Sequence, residues 1–91
     1  MFYTYILFSI KYREFYIGYS SDLKRRLKQH LADQVQSTKN REMVLVFYEA
    51  FKSEADARRR EQYLKTTKGK KTLKLMLKDS LKEIVNTGPI V

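Results

Sequence analysis

A short stretch near the N-terminus passes from an aromatic, β-branched run through a glycine into a basic segment. It reads Phe-Tyr-Ile-Gly-Tyr-Ser-Ser-Asp and then Leu-Lys-Arg-Arg-Leu-Lys-Gln-His over residues 15–30. Ser and Asp commonly cap helix N-termini. Leu23, Leu27 and Leu31 follow at the i, i+4, i+8 spacing of a helical stripe. The stretch therefore predicts a strand that leads into a helix running from about Asp22 to Ala32.

Two side chains of this helix suggest chemistry. Arg26 and His30 are four residues apart, so they share one helix face beside the leucine stripe. A guanidinium can bind phosphate oxygens in a bidentate manner, and an imidazole can carry a proton near neutral pH. Taken alone, Arg26 or His30 is explained equally well as an ordinary surface residue of a basic helix. Together, and next to tyrosines, they indicate a group that could grip a phosphate and act on it.

The size of the chain limits what can hold the fold and the site together. With 91 residues, 43% of them hydrophobic, it predicts one small domain over residues 1–85 and a short tail over residues 86–91. The absence of cysteine excludes disulfides and thiolate zinc sites, and a single histidine excludes a His-rich metal site. Any metal would depend on carboxylates and water, which favours Mg²⁺ or Mn²⁺.

The charge of the chain indicates a polyanionic partner. The net charge is +9, and residues 57–91 contribute +7 of it with ten Lys or Arg against three Asp or Glu. Such a concentration favours nucleic acid, whether DNA or RNA, over a merely solubilising surface. No apolar run approaches the ~20 residues of a membrane span, and no basic n-region marks a signal peptide. We therefore expect no membrane association and a cytoplasmic location.

The apolar segments predict three strands. Residues 2–10 are aromatic and β-branched on both alternating faces, which predicts a central strand. The short connection to a strand over residues 14–19 predicts an antiparallel hairpin, in which Gly18 marks a bulge or a close backbone approach. A third strand over residues 43–51 begins with a continuous apolar run, which predicts burial on both faces. Residues 33–41 are polar and are predicted to form a loop.

Two further helices are predicted in the second half of the chain. Ser53 caps the first of them, and Gly69 is predicted to break it. The last helix is expected over residues 70–85. It carries an apolar stripe of leucines and isoleucine, and four lysines repeat every four residues as one column: Lys70, Lys74, Lys78 and Lys82. A solvated face is the common explanation of such a column, and a nucleic-acid contact is the functional one.

Glu61 is unusual because it lies on the apolar face of its helix, in line with Ala57 and Leu64 at i, i+4, i+7 spacing. An ion pair with one of the neighbouring arginines explains this position as well as a carboxylate turned toward a site on the sheet. The spacing alone leaves the two interpretations equal.

The ordered set of these motifs resembles the GIY-YIG nuclease superfamily, and more narrowly its small single-domain bacterial members. The resemblance rests on Tyr3-Thr4-Tyr5, Tyr16-Ile17-Gly18, the Arg26/His30 helix and a later helix with Arg60-Glu61 and Leu64-Lys65. It covers the chain from about Phe2 to Leu77. The tripeptide Tyr-Ile-Gly alone would be a weak signal, whereas the whole order and spacing is a strong one.

The resemblance implies an α/β (α+β) fold, with a three-stranded antiparallel sheet flanked by about three helices. It also implies metal-dependent cleavage of phosphodiester bonds in DNA. The residues matching the family's site are Tyr5, Tyr16, Arg26, His30 and Glu61, with Gly18 as the motif glycine and Glu61 as the ligand of one Mg²⁺ or Mn²⁺. The first motif half departs from Gly-Ile-Tyr but keeps its tyrosine. Asn86 lies too far along the chain to match an asparagine that some members use.

Two functional hypotheses follow. The first is an endonuclease that selects DNA structure rather than sequence, acting in repair or recombination. In it, Glu61 holds the metal ion, Arg26 binds the phosphate, and Tyr5 with His30 orients or deprotonates the attacking water. The second is a nucleic-acid-binding module with a degenerate GIY-YIG site. An adaptor for acidic proteins is a weaker third alternative.

Overall fold

The computed structural model of the chain describes residues 1–87. It contains three strands and four helices, in the order β1 (Phe2–Ser9), β2 (Glu14–Ser20), α1 (Leu23–Leu31), β3 (Met43–Phe51), α2 (Glu54–Leu64), α3 (Thr67–Met76) and α4 (Lys78–Thr87). The strands form one antiparallel sheet in the order β2-β1-β3. The predicted α+β class is confirmed, with one helix more than expected. None of the helices over residues 1–87 has the length and apolar composition that crossing a membrane requires.

The central strand β1 buries side chains on both faces of the sheet, as its sequence predicts. On one face Ile6 packs with Leu64 of α2 and Leu73 of α3 in the hydrophobic core. On the same face Thr4 donates a hydrogen bond from Oγ1 to the Ala57 carbonyl oxygen of α2 at 2.6 Å. Tyr5 alternates to the opposite face, which α1 covers. Helices therefore sandwich β1, and Tyr5 lies on the α1 side.

The third strand is an edge strand, so the predicted burial on both of its faces is wrong. Within residues 1–87, strand β3 pairs only with β1, and its residues are half-buried or exposed; Tyr48 keeps 51% of its surface accessible. On the α1 side, Leu31 of the helix is itself 70% exposed. The register between β1 and β3 shifts between Ile6 and Leu7. Next to this shift, the neighbouring residues Val46 and Phe47 both contact the core. These contacts, together with one packed face, explain the apolar run of β3.

The break predicted at Gly69 lies earlier in the chain. Helix α2 ends at Leu64, and Thr66 caps α3 by accepting a hydrogen bond on Oγ1 from the Gly69 N–H at 3.0 Å. Gly69 is therefore inside α3, and a Cβ there would lie 2.0 Å from the Tyr63 carbonyl oxygen. This glycine permits close packing of α3 on the end of α2 rather than terminating a helix.

The predicted last helix is two helices, because the chain bends at Leu77, whose φ is −107° and ψ 20°. The apolar stripe survives the bend, since Leu73 and Leu77 are both buried in the core. All four lysines of the predicted column are exposed, two on α3 and two on α4. Helix α4 continues to Thr87, past the predicted domain boundary at residue 85, and residues 88–91 of the predicted tail lie outside the described part of the chain.

Candidate functional site

The site is built around a gap in β2. Gly18 pairs in regular register with Tyr5 of β1, so it marks no bulge between these strands. A Cβ at Gly18 would lie 2.3 Å from Cζ and 2.4 Å from the hydroxyl oxygen of Tyr5. The absence of a side chain therefore lets the Tyr5 ring extend across β2 toward the outer edge of the sheet. Of the two alternatives that the sequence left open for Gly18, the close approach is the observed one.

The hydroxyl of Tyr5 meets the imidazole of His30. Their Oη and Nε2 atoms are 2.9 Å apart, and both residues are almost fully buried, at 0% and 1% exposure. Tyr16, in the next strand, completes an aromatic cluster: its ring centroid lies 5.2 Å from that of His30 and 6.4 Å from that of Tyr5. His30 lies in the last turn of α1 with its side chain buried, so the ordinary surface position considered for it from sequence does not hold.

The other imidazole nitrogen binds a residue that the sequence did not identify. Nδ1 of His30 lies 2.7 Å from Oγ1 of Thr38, which is also within 3.4 Å of the Val35 carbonyl oxygen. Thr38 is 1% exposed and Val35 is 9% exposed. The predicted polar loop over residues 33–41 therefore has a buried centre that packs beneath His30. In the sequence, the signal for this buried centre was one threonine and one valine within a polar segment.

Arg26 lies on the same helix as His30, four residues earlier. It is half-buried, and Nη1 donates a hydrogen bond to Oε1 of Gln29 at 3.0 Å. Interaction with the Tyr5 hydroxyl is the main cause of a raised pKa for Arg26, and Tyr16 adds to it. The site thus holds a permanent positive charge that acts on both phenol groups.

Glu61 brings the opposite charge to the site from α2. Its side chain is 17% exposed, and its Oε2 atom lies 3.1 Å from Nζ of Lys65. Its charge also acts on Tyr5, where it is among the groups that raise the tyrosine pKa. Glu61 therefore makes an ion pair, as one interpretation of its position held, though with a lysine rather than an arginine. That the carboxylate is turned toward the site stays a prediction.

Burial and charge set the protonation states at neutral pH. Burial is the largest cause of a raised pKa for Tyr5, and contact with Arg26 opposes it. Burial, followed by the charge of Arg26, lowers the pKa of His30. The site at rest therefore contains a protonated phenol at Tyr5 and a neutral imidazole at His30.

Comparison with known proteins identifies the family of the chain. The family described as "GIY-YIG catalytic domain" matches residues 1–74. The chain belongs to the GIY-YIG family. It is also 32% identical over 94 residues to the "UPF0213 protein in ldhD 5'region" of Pediococcus acidilactici, an alignment that spans 99% of this chain and 87% of that protein. No solved structure matches the chain at a significant level.

Membership of the GIY-YIG family places the chain among nuclease domains. The two motif halves are the paired strands β1 and β2, where Tyr5 lies opposite Gly18 and Leu7 lies opposite Tyr16. The fold thus brings the tyrosine of the first half over the glycine of the second. Helix α1 carries Arg26 and His30 on the Tyr5 face of the sheet, and Glu61 lies on α2, which packs against the other face.

A divalent ion in this GIY-YIG domain would depend on few protein ligands. The described residues contain no group of three His, Cys, Asp or Glu side chains that could hold a metal. Mg²⁺ commonly keeps several waters and uses one or two carboxylates together with substrate phosphates. The carboxylate of Glu61, with its side chain 17% exposed, fits that coordination, provided that the ion displaces Lys65 from Oε2.

The pH dependence of stability tests the burial of His30. Because its folded-state pKa lies below the unfolded value of ~6.5, the unfolded chain binds more protons in the window below pH ~6.5. We therefore expect the free energy of unfolding to fall as the pH decreases through this window. Urea titrations between about pH 7.5 and about pH 5.5 would measure it. His30→Gln should flatten the dependence, whereas identical slopes in both proteins would contradict this account.

Proposed function

We propose that the protein is a metal-dependent DNA endonuclease that recognises the structure of its substrate rather than its sequence. The observation that carries the proposal is the buried contact between Tyr5 and His30 at the gap left by Gly18, with the charges of Arg26 and Glu61 acting on Tyr5. Hydrolysis of a phosphodiester requires a bound phosphate, an activated water and stabilisation of the developing charge. Each of these requirements has a matching group in this set.

Arg26 would bind the scissile phosphate. Its guanidinium offers paired N–H donors to two phosphate oxygens, and it lies at the half-buried rim of the site rather than beneath it. Tyr16 is also half-buried and can hydrogen-bond to the same phosphate or to the attacking water. A divalent ion held by Glu61 would supply charge stabilisation and a more acidic water.

Tyr5 and His30 would remove the proton from the water. With its pKa raised, Tyr5 is seldom a phenolate at neutral pH, so it can accept a proton on Oη only as it gives its own to Nε2 of His30. The neutral His30 can receive it. Tyr5 has no accessible surface at rest, so this role requires the Arg26 guanidinium to move outward onto the phosphate and uncover the hydroxyl.

The lysines of α3 and α4 would hold the rest of the DNA. Lys70 and Lys74 border a cavity of about 600 Å³ with Arg13 and Phe15. Phe15 precedes Tyr16 in β2, so this cavity lies on the opposite face of the edge strand from Tyr16. DNA passing along the β2 edge would therefore contact Arg26 on one side and lysines on the other. Such backbone contacts carry no sequence information. A role in DNA repair or recombination and a cytoplasmic location stay predictions.

A cleavage panel tests the proposal. Labelled linear, nicked and branched DNA would be incubated with the protein in Mg²⁺, Mn²⁺ or EDTA. We expect metal-dependent cutting that favours nicked or branched substrates. Arg26→Ala should reduce the rate by about 10²-fold or more, as loss of a preorganised charge-stabilising group does. Arg25→Ala is the matched control, because Arg25 is exposed and pairs with Asp22 at the surface.

The second candidate is a binding module without catalysis. The ion pair between Glu61 and Lys65 and the full enclosure of Tyr5 favour it, since both groups are occupied at rest. Binding of every DNA substrate with no cutting in either metal would establish this alternative and overturn the first.

A further inference from the structure

We propose that Thr38 is a positioning residue that fixes His30 in the tautomer whose Nε2 atom is free to accept the Tyr5 proton. The inference deepens the proposed function, on which its kinetic consequence rests. It begins from a chain of close polar contacts that crosses the buried interior: Tyr5 to His30 at 2.9 Å, His30 to Thr38 at 2.7 Å, and Thr38 to the Val35 carbonyl at 3.4 Å.

The direction of the hydrogen bonds in this series of contacts follows from which groups at its two ends can donate and which can accept. A guanidinium carries only donors, and that of Arg26 is close enough to act on the pKa of Tyr5. Arg26 therefore cannot accept the Tyr5 proton, which must go to another group. Nε2 of His30 is the acceptor placed at hydrogen-bonding distance. The imidazole proton then belongs on Nδ1.

The other end of the chain supports the same direction. A Val35 carbonyl oxygen can only accept, so it attracts the hydroxyl proton of Thr38. The Thr38 oxygen is then free to accept from Nδ1–H of His30. Because Thr38 is 1% exposed, water is not available to replace this acceptor.

The backbone around Thr38 holds the hydroxyl in place. The Thr38 N–H donates to the Val35 carbonyl oxygen at 3.1 Å, and the Asn40 N–H donates to Oδ1 of Asp33 at 3.3 Å. Asp33 and Asn40 adopt left-handed backbone conformations, with φ of 56° and 61°. The loop is therefore closed on itself beneath the end of α1, where it presents one hydroxyl to one ring nitrogen.

The single histidine of the chain makes the tautomer directly measurable. In ¹⁵N NMR spectra of imidazole-labelled protein at about pH 8, where His30 is neutral, we expect the Nδ1–H tautomer in the wild type. In water the neutral side chain favours the other form. Thr38→Val, which keeps the shape but removes the acceptor, should shift the equilibrium to Nε2–H. Thr38→Ser should restore Nδ1–H.

Kinetics extend the test. Thr38→Val is expected to lower kcat about 10- to 100-fold with little change in KM, as removal of the partner that orients a functional histidine typically does. Thr38→Ser should recover most of the rate.

Nε2–H in the wild type, or the same tautomer in wild type and Thr38→Val, would overturn the proposal. The tautomer does not depend on cleavage, so absence of nuclease activity would refute the proposed function while this test still decided the role of Thr38. If Thr38→Val does not fold, the wild-type and Thr38→Ser spectra decide it.

Discussion

Glu61→Gln is expected to reduce metal-dependent DNA cleavage by about 10³-fold while leaving DNA binding and folding nearly unchanged. Charge stabilisation by a metal ion is worth several kcal/mol in such reactions, and each 1.4 kcal/mol is a factor of ten in rate. The amide keeps the shape of the side chain but is a much weaker ligand for a hard cation. The substitution also removes the ion pair with Lys65, whose side chain is 54% exposed, so the contribution of this pair to stability is small.

A second carboxylate of the same helix provides the control. Asp56 pairs with Arg59 at the surface at 2.9 Å, and both side chains are more than half exposed. Asp56→Asn removes the same charge without touching the site, so its cleavage rate should match that of the wild type. Equal loss in both variants would point to a general electrostatic effect. Full metal-dependent activity in Glu61→Gln would remove the carboxylate from the proposed chemistry.

Gly18→Ala is expected to destabilise the fold by about 1–3 kcal/mol, the usual cost of overpacking a well-filled interior. The added methyl group would meet the ring of Tyr5 at 2.3 Å, and that ring is buried and hydrogen-bonded to His30. Glycine within a strand is otherwise weaker than alanine. The intrinsic effect of the substitution therefore has the opposite sign, and a net loss of stability isolates the steric contact. Urea unfolding would measure it.

A double-mutant cycle with Tyr5→Leu separates the steric contact from other effects. Leucine is too short to cross β2, so Gly18→Ala should cost little stability in that background, and the coupling free energy should account for most of the single-variant loss. The single variant should also lose cleavage activity, because Tyr5 can no longer meet His30. Additive changes in the two variants would show that Gly18 does not accommodate the tyrosine ring.

Local patterns predicted the parts of the fold that depend on neighbouring residues in the chain. Strand β3 begins and ends where its apolar run does, and α1 follows its leucine spacing. The placement of β3 at the sheet edge could not be predicted this way, because it depends on which strands pair. The prediction for Gly69 was wrong for a similar reason: its small size matters only because α3 packs against the carbonyl of Tyr63, a contact between two elements.

The residues of the candidate site also differ in whether local sequence patterns could identify them. The tyrosines, Arg26, His30 and Glu61 were identified from motif order, and their roles stay predictions. Thr38 was missed because a hydroxyl in a polar loop has no spacing that ties it to a histidine eight residues earlier. Only the fold of the loop brings the two together.

The ion pair between Lys65 and Glu61 has a consequence for the proposed binding of a metal ion. Any cation that enters must exchange with an ammonium group anchored one helical turn away. Such an anchored competitor acts at a high local concentration, on the order of millimolar for short flexible tethers. Metal ions in solution would therefore compete with the Lys65 side chain for the Glu61 carboxylate. Once displaced, Lys65 would be left beside the incoming nucleic-acid backbone.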